Sequence, residues 1–558
     1  LTIMGKLGEI VVTRQTGARK NPALDSRIPH ADTPRLAADR PDKALESSHK
    51  RSLPCCGEVG MHFNSQGEKT ALHRFIRVIL FLPLVAISLP AHQARSQNLN
   101  AVPRQEYFLA KAIMRDGDFV RASRGFESAA RSGIRSTEGR WVDSICYYAM
   151  MGECYYQMGR TAEALERFEA ALQLYVAHQN WLLALDYPAA IQISGRARKP
   201  IPWAVSQRTP IIGQVPGTIN SLQGRLNNLQ VLAQGGVYVP LQLFPIHAEE
   251  IVQCTALAMR RRLAIMGPTC PYSPLTHQLL DALSRRPTRP NHWSQAWVSL
   301  QLGLAHASAG QPGQAAAQLQ QSMLISGRFD HVLTSVAMLE LGKLAFQQEQ
   351  FPQAASYFIE ASLNAGLFEE YRTVEESLGW ASRTHQVVGG KGLFSPLPAA
   401  AIWGRTESDF VQASVFVSAA ENYGRGGEPA KALAMIDRAV TAVRRHDMAN
   451  GTLSARVNYV TALAHYQMGN LNLGDAAFSK VMAFQKQSSH WLLQVAQADA
   501  LFNAGALSEK VADDLFSRVL REPTSADWVV QPEEPFSRSL SSRTRIHQPG
   551  YRFHLGVS

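Results

Sequence analysis

Along most of the chain, apolar residues recur three and four positions apart in Ala- and Leu-rich segments broken by short polar turns, the spacing of one helical face. In the stretch YYAMMGECYYQMGRTAEALERFEAAL, this pattern puts Gly152 and Tyr155 on one helix and Gly159 at a turn. Ala164, Phe168 and Ala171 fall on the next helix. Two antiparallel helices cross closely where a small residue lets the backbones approach and an aromatic fills the space beside it. Glycine accepts turn dihedrals that other residues resist. Such a pattern encodes packing and carries no chemistry.

Five further stretches follow the same frame. They place Ala110, Gly117, Ala122, Phe126 and Ala129 in one copy and Gly303, Gly310, Ala315 and Leu319 in another. A third has Gly342, Ala354, Phe358 and Ala361, with Glu349 where the turn glycine belongs. The remaining two have Ala420, Tyr423, Gly427, Ala432, Ile436 and Ala439, then Ala462, Gly469, Gly474 and Phe478. Six copies in register resemble the tetratricopeptide repeat family. The proline near the end of that family's second helix is missing throughout, and the copies are unevenly spaced. The expected fold is all-α, an α-solenoid of antiparallel helix hairpins.

The pattern divides the chain into repeat blocks at 97–190, 294–395 and 405–522, the last closing with a hairpin from Trp491. Between the first two blocks, residues 191–293 form an insert rich in Pro, Gln and Asn. It is expected to hold one helix from Asn220 to Gln234, an extended piece from Val237 to Phe244 and a second helix after it. A lid, a partner site and a spacer all remain open for it. Residues 523–558 lack helical period and read as a disordered tail.

Residues 1–60 are polar and aperiodic, and read as a disordered or mis-annotated leader ahead of a start at Met61. Residues 61–96 read as an export signal: Lys69, Arg74 and Arg77, then the apolar run Val78–Leu89, then small residues. The run is shorter than the roughly 20 residues of a spanning helix, so cleavage after Ala91, Ala94 or Ser96 is expected, with a retained membrane anchor as the alternative. The expected location is exported, periplasmic or secreted.

The net charge of +11 raises nucleic acid as a partner. However, residues 1–96 carry 14 Lys and Arg against 8 Asp and Glu, and residues 535–558 carry four Arg and no acid. The body between them is left at about +1 with mixed charges, so nucleic acid is not expected there. Cys146 and Cys154, about 12 Å apart along one helix, read as packing residues. A Cys254–Cys270 bridge stays open in an oxidising compartment.

Enzyme signatures fail in turn. YGRGGEPAK lacks the strand and the ending of a phosphate loop, VVGGKG reads as a linker, and HAEEI lacks a second histidine. No metal spacing occurs, and no cofactor is expected. His306 and His465 read as packing residues. The runner-up is a polysaccharide-active enzyme on a helical toroid, which needs two acids facing one cleft, whereas Glu249 and Glu250 are expected to diverge on a helix. A third alternative is a membrane-anchored assembly factor held by Val78–Leu89.

The resemblance implies a non-catalytic scaffold that binds protein or extended peptide partners in a concave groove lined by the first helix of each pair. Carried onto this chain, the groove positions are Arg104, Tyr107, Lys111, Arg115, Tyr156, Gln157, Lys343, Gln347, Arg456, Tyr459, Tyr466 and Gln467. Tyrosine and arginine suit such a surface because each combines large area with hydrogen bonding.

Overall fold

A computed structural model describes residues 101–488 apart from 137–138, 196–197, 210, 224–227, 239, 326–328 and 445–450, together with 501, 510 and 511. The chain forms two units, Leu1–His92 and Gln93–Ser558, and only the second contains described residues. The leader, the export signal with its Val78–Leu89 run, the closing hairpin but for 501, 510 and 511, and the tail lie outside them.

Seventeen helices are present among the described residues. Six antiparallel pairs correspond to the six sequence copies: α1 (Gln105–Arg115) with α2 (Phe119–Ala130), α3 (Ser144–Gln157) with α4 (Thr161–Ala177), and, further on, α8 (Gln295–Ser308) with α9 (Pro312–Ile325). The others are α10 (Thr334–Gln347) with α11 (Phe351–Leu367), α14 (Asp409–Arg425) with α15 (Pro429–Ala442), and α16 (Thr452–Gln467) with α17 (Leu471–Gln487). Between them lie α5 (Asn228–Ala233), α6 (Ala248–Met266), α7 (Pro274–Ser284), α12 (Tyr371–Val387) and α13 (Pro396–Glu407). The fold is an all-α solenoid of helix hairpins.

The crossing geometry follows from residue size. A Cβ added at Gly152 would stand 2.7 Å from the Phe168 ring, one at Gly342 2.6 Å from Phe358, and one at Gly303 2.8 Å from Leu319. Those three large side chains are fully buried. The small residue and its large partner keep the same spacing along the chain in all three pairs, the spacing at which a hairpin brings the two faces together. The turns between paired helices place Gly117, Gly159, Gly310, Gly427 and Gly469 at positive φ.

The stretch 191–293 supplies helices to the array itself. Helix α6 packs on α3, α4 and α8, and α7 packs on α4 and α8, so the pair spans the first two blocks. The expected helix from Asn220 to Gln234 is corrected: Ile219–Gln223 is a strand, and among the described residues of that stretch only Asn228–Ala233 is helical. The reason is period two: Ile219 and Ser221 are buried while Asn220 and Leu222 are exposed. That strand pairs antiparallel with Gln242–Ile246, which begins later than the expected extended piece. A short sheet joins Gln192–Ile193, Ile211–Gln214 and Phe329–Asp330, and a short antiparallel strand pair lies between α2 and α3.

All four described cysteines are buried and free. The Cys254–Cys270 bridge does not form, because α6 carries the chain on from Cys254 to its end at Met266. That is about 18 Å of helix axis, beyond disulfide reach.

Glu349 holds φ 58° at the turn where the other copies have glycine. A left-handed residue with a Cβ costs about 1–2 kcal/mol, of which a replacing glycine returns part to the unfolded chain. Glu349→Gly is therefore expected to raise stability by a few tenths to about 1 kcal/mol, read as a higher urea midpoint at unchanged slope.

Candidate functional site: a charge-lined cavity

Three consecutive arginines on α6 organise the interior. Successive helical positions point about 100° apart, so Arg260, Arg261 and Arg262 leave the helix in three directions. The Arg260 Nε donates to Glu340 Oε1 at 2.6 Å and its Nη2 to Glu376 Oε1 at 2.7 Å. Arg261 donates to Glu153 at 2.9 Å, lies 3.5 Å from the second Glu376 oxygen, and stacks over Tyr156 at 4.8 Å. Arg262 donates to Glu169, Ser273 and Thr276 at 3.1, 2.6 and 2.8 Å. Lys343 joins Glu376 at 2.5 Å, and Arg372 donates to Glu153 at 2.8 Å.

Burial by itself raises a carboxyl pKa. At Glu376 the charges of Arg260, Lys343 and Arg261 outweigh burial and hold the group well below the usual range, and at Glu153 those of Arg261 and Arg372 lower it likewise.

A second cluster gathers on α1 and the start of α6. Tyr107 Oη and Lys111 Nζ both donate to Glu250, at 2.5 and 2.8 Å. Glu250 is held low by Lys111 despite burial. Its neighbour Glu249 is pushed up to about 7 by burial and by the charges of Glu370 and Glu250. A third cluster surrounds Arg456, which meets Glu421 with two parallel bonds at 3.0 and 3.1 Å and donates to Ser414 and Ser418.

Between the first and third clusters lies a cavity with about 700 Å³ of empty space. One wall is α12, which presents Gly379, Trp380, Arg383 and Gln386; facing it are Tyr156 and Gln157 from α3 and Arg456 from α16. A Cβ added at Gly379 would meet no atom within 4 Å. Glycine inside a helix costs about 1 kcal/mol relative to alanine, and here neither a positive φ nor a close neighbour requires it. Arg383 stacks on Trp380 at 4.4 Å. The donors Trp380 Nε1 and Gln386 Nε2 are buried with no acceptor among the described residues. Arg261 and Glu376 also line a neighbouring cavity of about 650 Å³, which extends to Lys111 and Glu250.

Of the twelve proposed groove residues, Tyr156, Gln157 and Arg456 meet at the first cavity, drawn there from opposite ends of the repeats. Thr452 Oγ1 ties this meeting together by donating to the Gln157 carbonyl at 3.0 Å. Lys343 joins through Glu376, while Tyr107 and Lys111 converge on Glu250. Tyr459 is buried, Tyr466 donates to Asp475 at 2.8 Å, and Gln467 donates to the Gly424 carbonyl. Arg104, Arg115 and Gln347 are exposed and stand apart, with Arg115 over Tyr371 at 5.6 Å. Most of this set is therefore engaged within the molecule.

The sequence pattern does not reveal Arg261, Glu376, Trp380, Arg383 or Gln386. The signal that carries the first is the run RRR inside the otherwise apolar ALAMRRRLAIM, which demands buried acids elsewhere. Among the described residues, no three His, Cys, Asp or Glu side chains are grouped to hold a metal ion. His306 Nδ1 lies 2.7 Å from Gln311 Oε1.

The fold and cavity define the class: an all-α solenoid of helix hairpins whose interior is crossed by ion pairs. No protein-family model and no curated protein matches the chain. Among solved structures it is similar to a Rap protein complexed with Competence and Sporulation Factor, at 11% identity and TM-score 0.31, over 69% of this chain and 75% of that one. It is also similar to the apo form of RapI, at 11% identity and TM-score 0.27, over 68% and 97% of the two chains. A third is the APC/C hetero-tetramer Cut9-Hcn1, at 10% identity and TM-score 0.25, over 81% and 94%. At such TM-scores the fold class rests on the helix pairs themselves.

Removing one member of a buried charge cluster strands the others. Glu376→Leu leaves Arg260, Arg261 and Lys343 converging on an apolar side chain and is expected to cost about 3–5 kcal/mol in urea unfolding. Asp281→Ala, which breaks the exposed Asp281–Arg285 pair, is expected to cost less than about 1 kcal/mol.

Glu249 sets a pH dependence of opposite sign to a salt-bridged acid. Its folded pKa is about 7 and its ordinary value 4.5. Between those values the folded chain keeps a proton that the unfolded chain has released, so stability falls as pH rises through this window. Glu249→Gln is expected to gain thermal stability over the wild type at pH 8 and to lose that advantage below about pH 4.5, as read by Tm across the range.

Proposed function

We propose that this chain is an exported, non-catalytic interaction scaffold that binds an extended segment of a protein or peptide in the cavity between α3, α12 and α16. The observation that carries this proposal is the bare backbone at Gly379, which faces open space in the wall of that cavity. Trp380 offers rigid contact area at this wall. Export rests on the basic stretch and apolar run between Lys69 and Leu89.

The test is a peptide-array screen with the wild type and Gly379→Leu, accompanied by the mass of the mature N-terminus. An added leucine fills the cavity without touching a neighbour at its Cβ and improves helix propensity, so the variant is expected to fold at least as stably. It is expected to lose peptide binding. The binding proposal fails if the wild type selects no peptide, or if Gly379→Leu selects the same peptides as strongly. A mature chain that still carries Val78–Leu89 would replace the exported form with a membrane-anchored one.

A further inference from the structure

Helices α3 and α6 meet along a seam that keeps the same interval on both. Arg261 donates to Glu153 at 2.9 Å, and seven residues earlier on each helix stand Cys254 and Cys146. Seven residues are about two turns and about 10 Å of helix axis. At that point the two thiols are in hydrogen-bond contact. Two contacts at equal spacing mean that the helices run side by side in the same direction here. Between them, Met150 and Leu257 line the same cavity as Glu153, Cys254 and Arg261. The cysteine end has a second tie through α1. Tyr107 Oη lies 3.3 Å from Cys254 Sγ, and the Tyr107 ring meets that of Tyr147, next to Cys146, edge-on at 5.7 Å.

The other two described cysteines are placed differently. Cys270 sits beside Arg262 and Thr276, at 3.3 and 3.7 Å, and Cys154 lies about 12 Å along α3 from Cys146. Cys146 and Cys254 are both buried and unbonded. A disulfide needs Cβ atoms about 4 Å apart and sulfurs about 2 Å apart. For two thiols already in contact on packed helices, side-chain rotation is the main movement that remains. Burial, and then the contact with Cys254, push the Cys146 thiol up. Because the thiolate is the attacking species, the closed seam exchanges slowly. The bond therefore forms while the chain is folding, before the seam is sealed.

We infer that Cys146 and Cys254 are a disulfide-forming pair that staples α3 to α6 when the chain folds in the presence of a disulfide oxidant. One thiolate attacks the oxidant's disulfide, forms a mixed disulfide and releases one thiol. The second thiolate then displaces the other half, so the protein gains one S–S bond and loses two hydrogens while the oxidant is reduced to two thiols. The export reading above supplies the place where such an oxidant is met; the choice of these two cysteines rests on the seam. The bond closes a long loop from the first repeat block into the insert, which restricts the unfolded chain. It also holds together the two helices that keep Glu153 opposite Arg261.

The test refolds the reduced full chain from urea in a mixture of reduced and oxidised glutathione, alkylates the remaining thiols in urea and maps the digest without reductant. The expected product joins a peptide at Cys146 to one at Cys254, about 2 Da lighter than the two reduced peptides together, with Cys154 and Cys270 alkylated. Cys254→Ser is expected to lose the joined species and Cys154→Ser to keep it. The oxidised wild type is expected to show a higher urea midpoint than the reduced one, a difference that Cys254→Ser abolishes. Alkylation of both Cys146 and Cys254 in the refolded wild type overturns the inference, as does a joined species in which either is linked to another cysteine. Refolding supplies the oxidant directly, so such a failure is distinct from a failure of the export reading, which the mass of the mature N-terminus reports.

Discussion

A guanidinium removed from water must be met by carboxylates or hydroxyls, and α6 buries three of them side by side. Arg260, Arg261 and Arg262 can be accommodated only if Glu340 and Glu376, Glu153, and Glu169 arrive from α10, α12, α3 and α4. The array is therefore more than a stack in which each hairpin touches its neighbours. One helix fixes the relative positions of four others, two of them in the first block and two beyond the second block's start. Buried ion pairs of this kind are weak sources of net stability but severe penalties when broken, which makes them a constraint on register.

The same constraint explains why residues suited to an open groove are mostly occupied inside the molecule. First-helix positions face inward whether a partner or another part of the chain lies opposite. Here α6 and α12 lie opposite them, so Lys343 meets Glu376 on α12 and Lys111 meets Glu250 on α6. Arg456 is matched by Glu421 on the adjacent α14 and braced by two serines. What remains open is the space beside Gly379, where α12 carries no side chain. The proposed binding site thus sits on α12, a helix between repeat copies that makes no use of the repeat code.

Away from the interior, the flap at residues 219–246 follows different physics. Its inner face is held by cross-strand pairing of buried isoleucines, and its outer face has no charge to keep it in water.

The hairpins were legible in the sequence because their cause is local. Gly152 and Phe168, or Gly342 and Phe358, meet within one hairpin, so spacing and side-chain size determine the crossing. The turn glycines at Gly117, Gly159 and Gly427 are legible for the same reason, since φ is a property of one residue. The strand at Ile219–Gln223 was not, because its period two is short and its partner begins only at Gln242. Nor were the partners of Arg261, which lie far along the chain, upstream at Glu153 and downstream at Glu376. The sequence by itself determined which segments become helix pairs and how each pair closes. Only the tertiary structure decided which charges are paired and where space is left, because Coulomb pairing in a buried interior depends on distance in space and leaves no periodic trace along the chain.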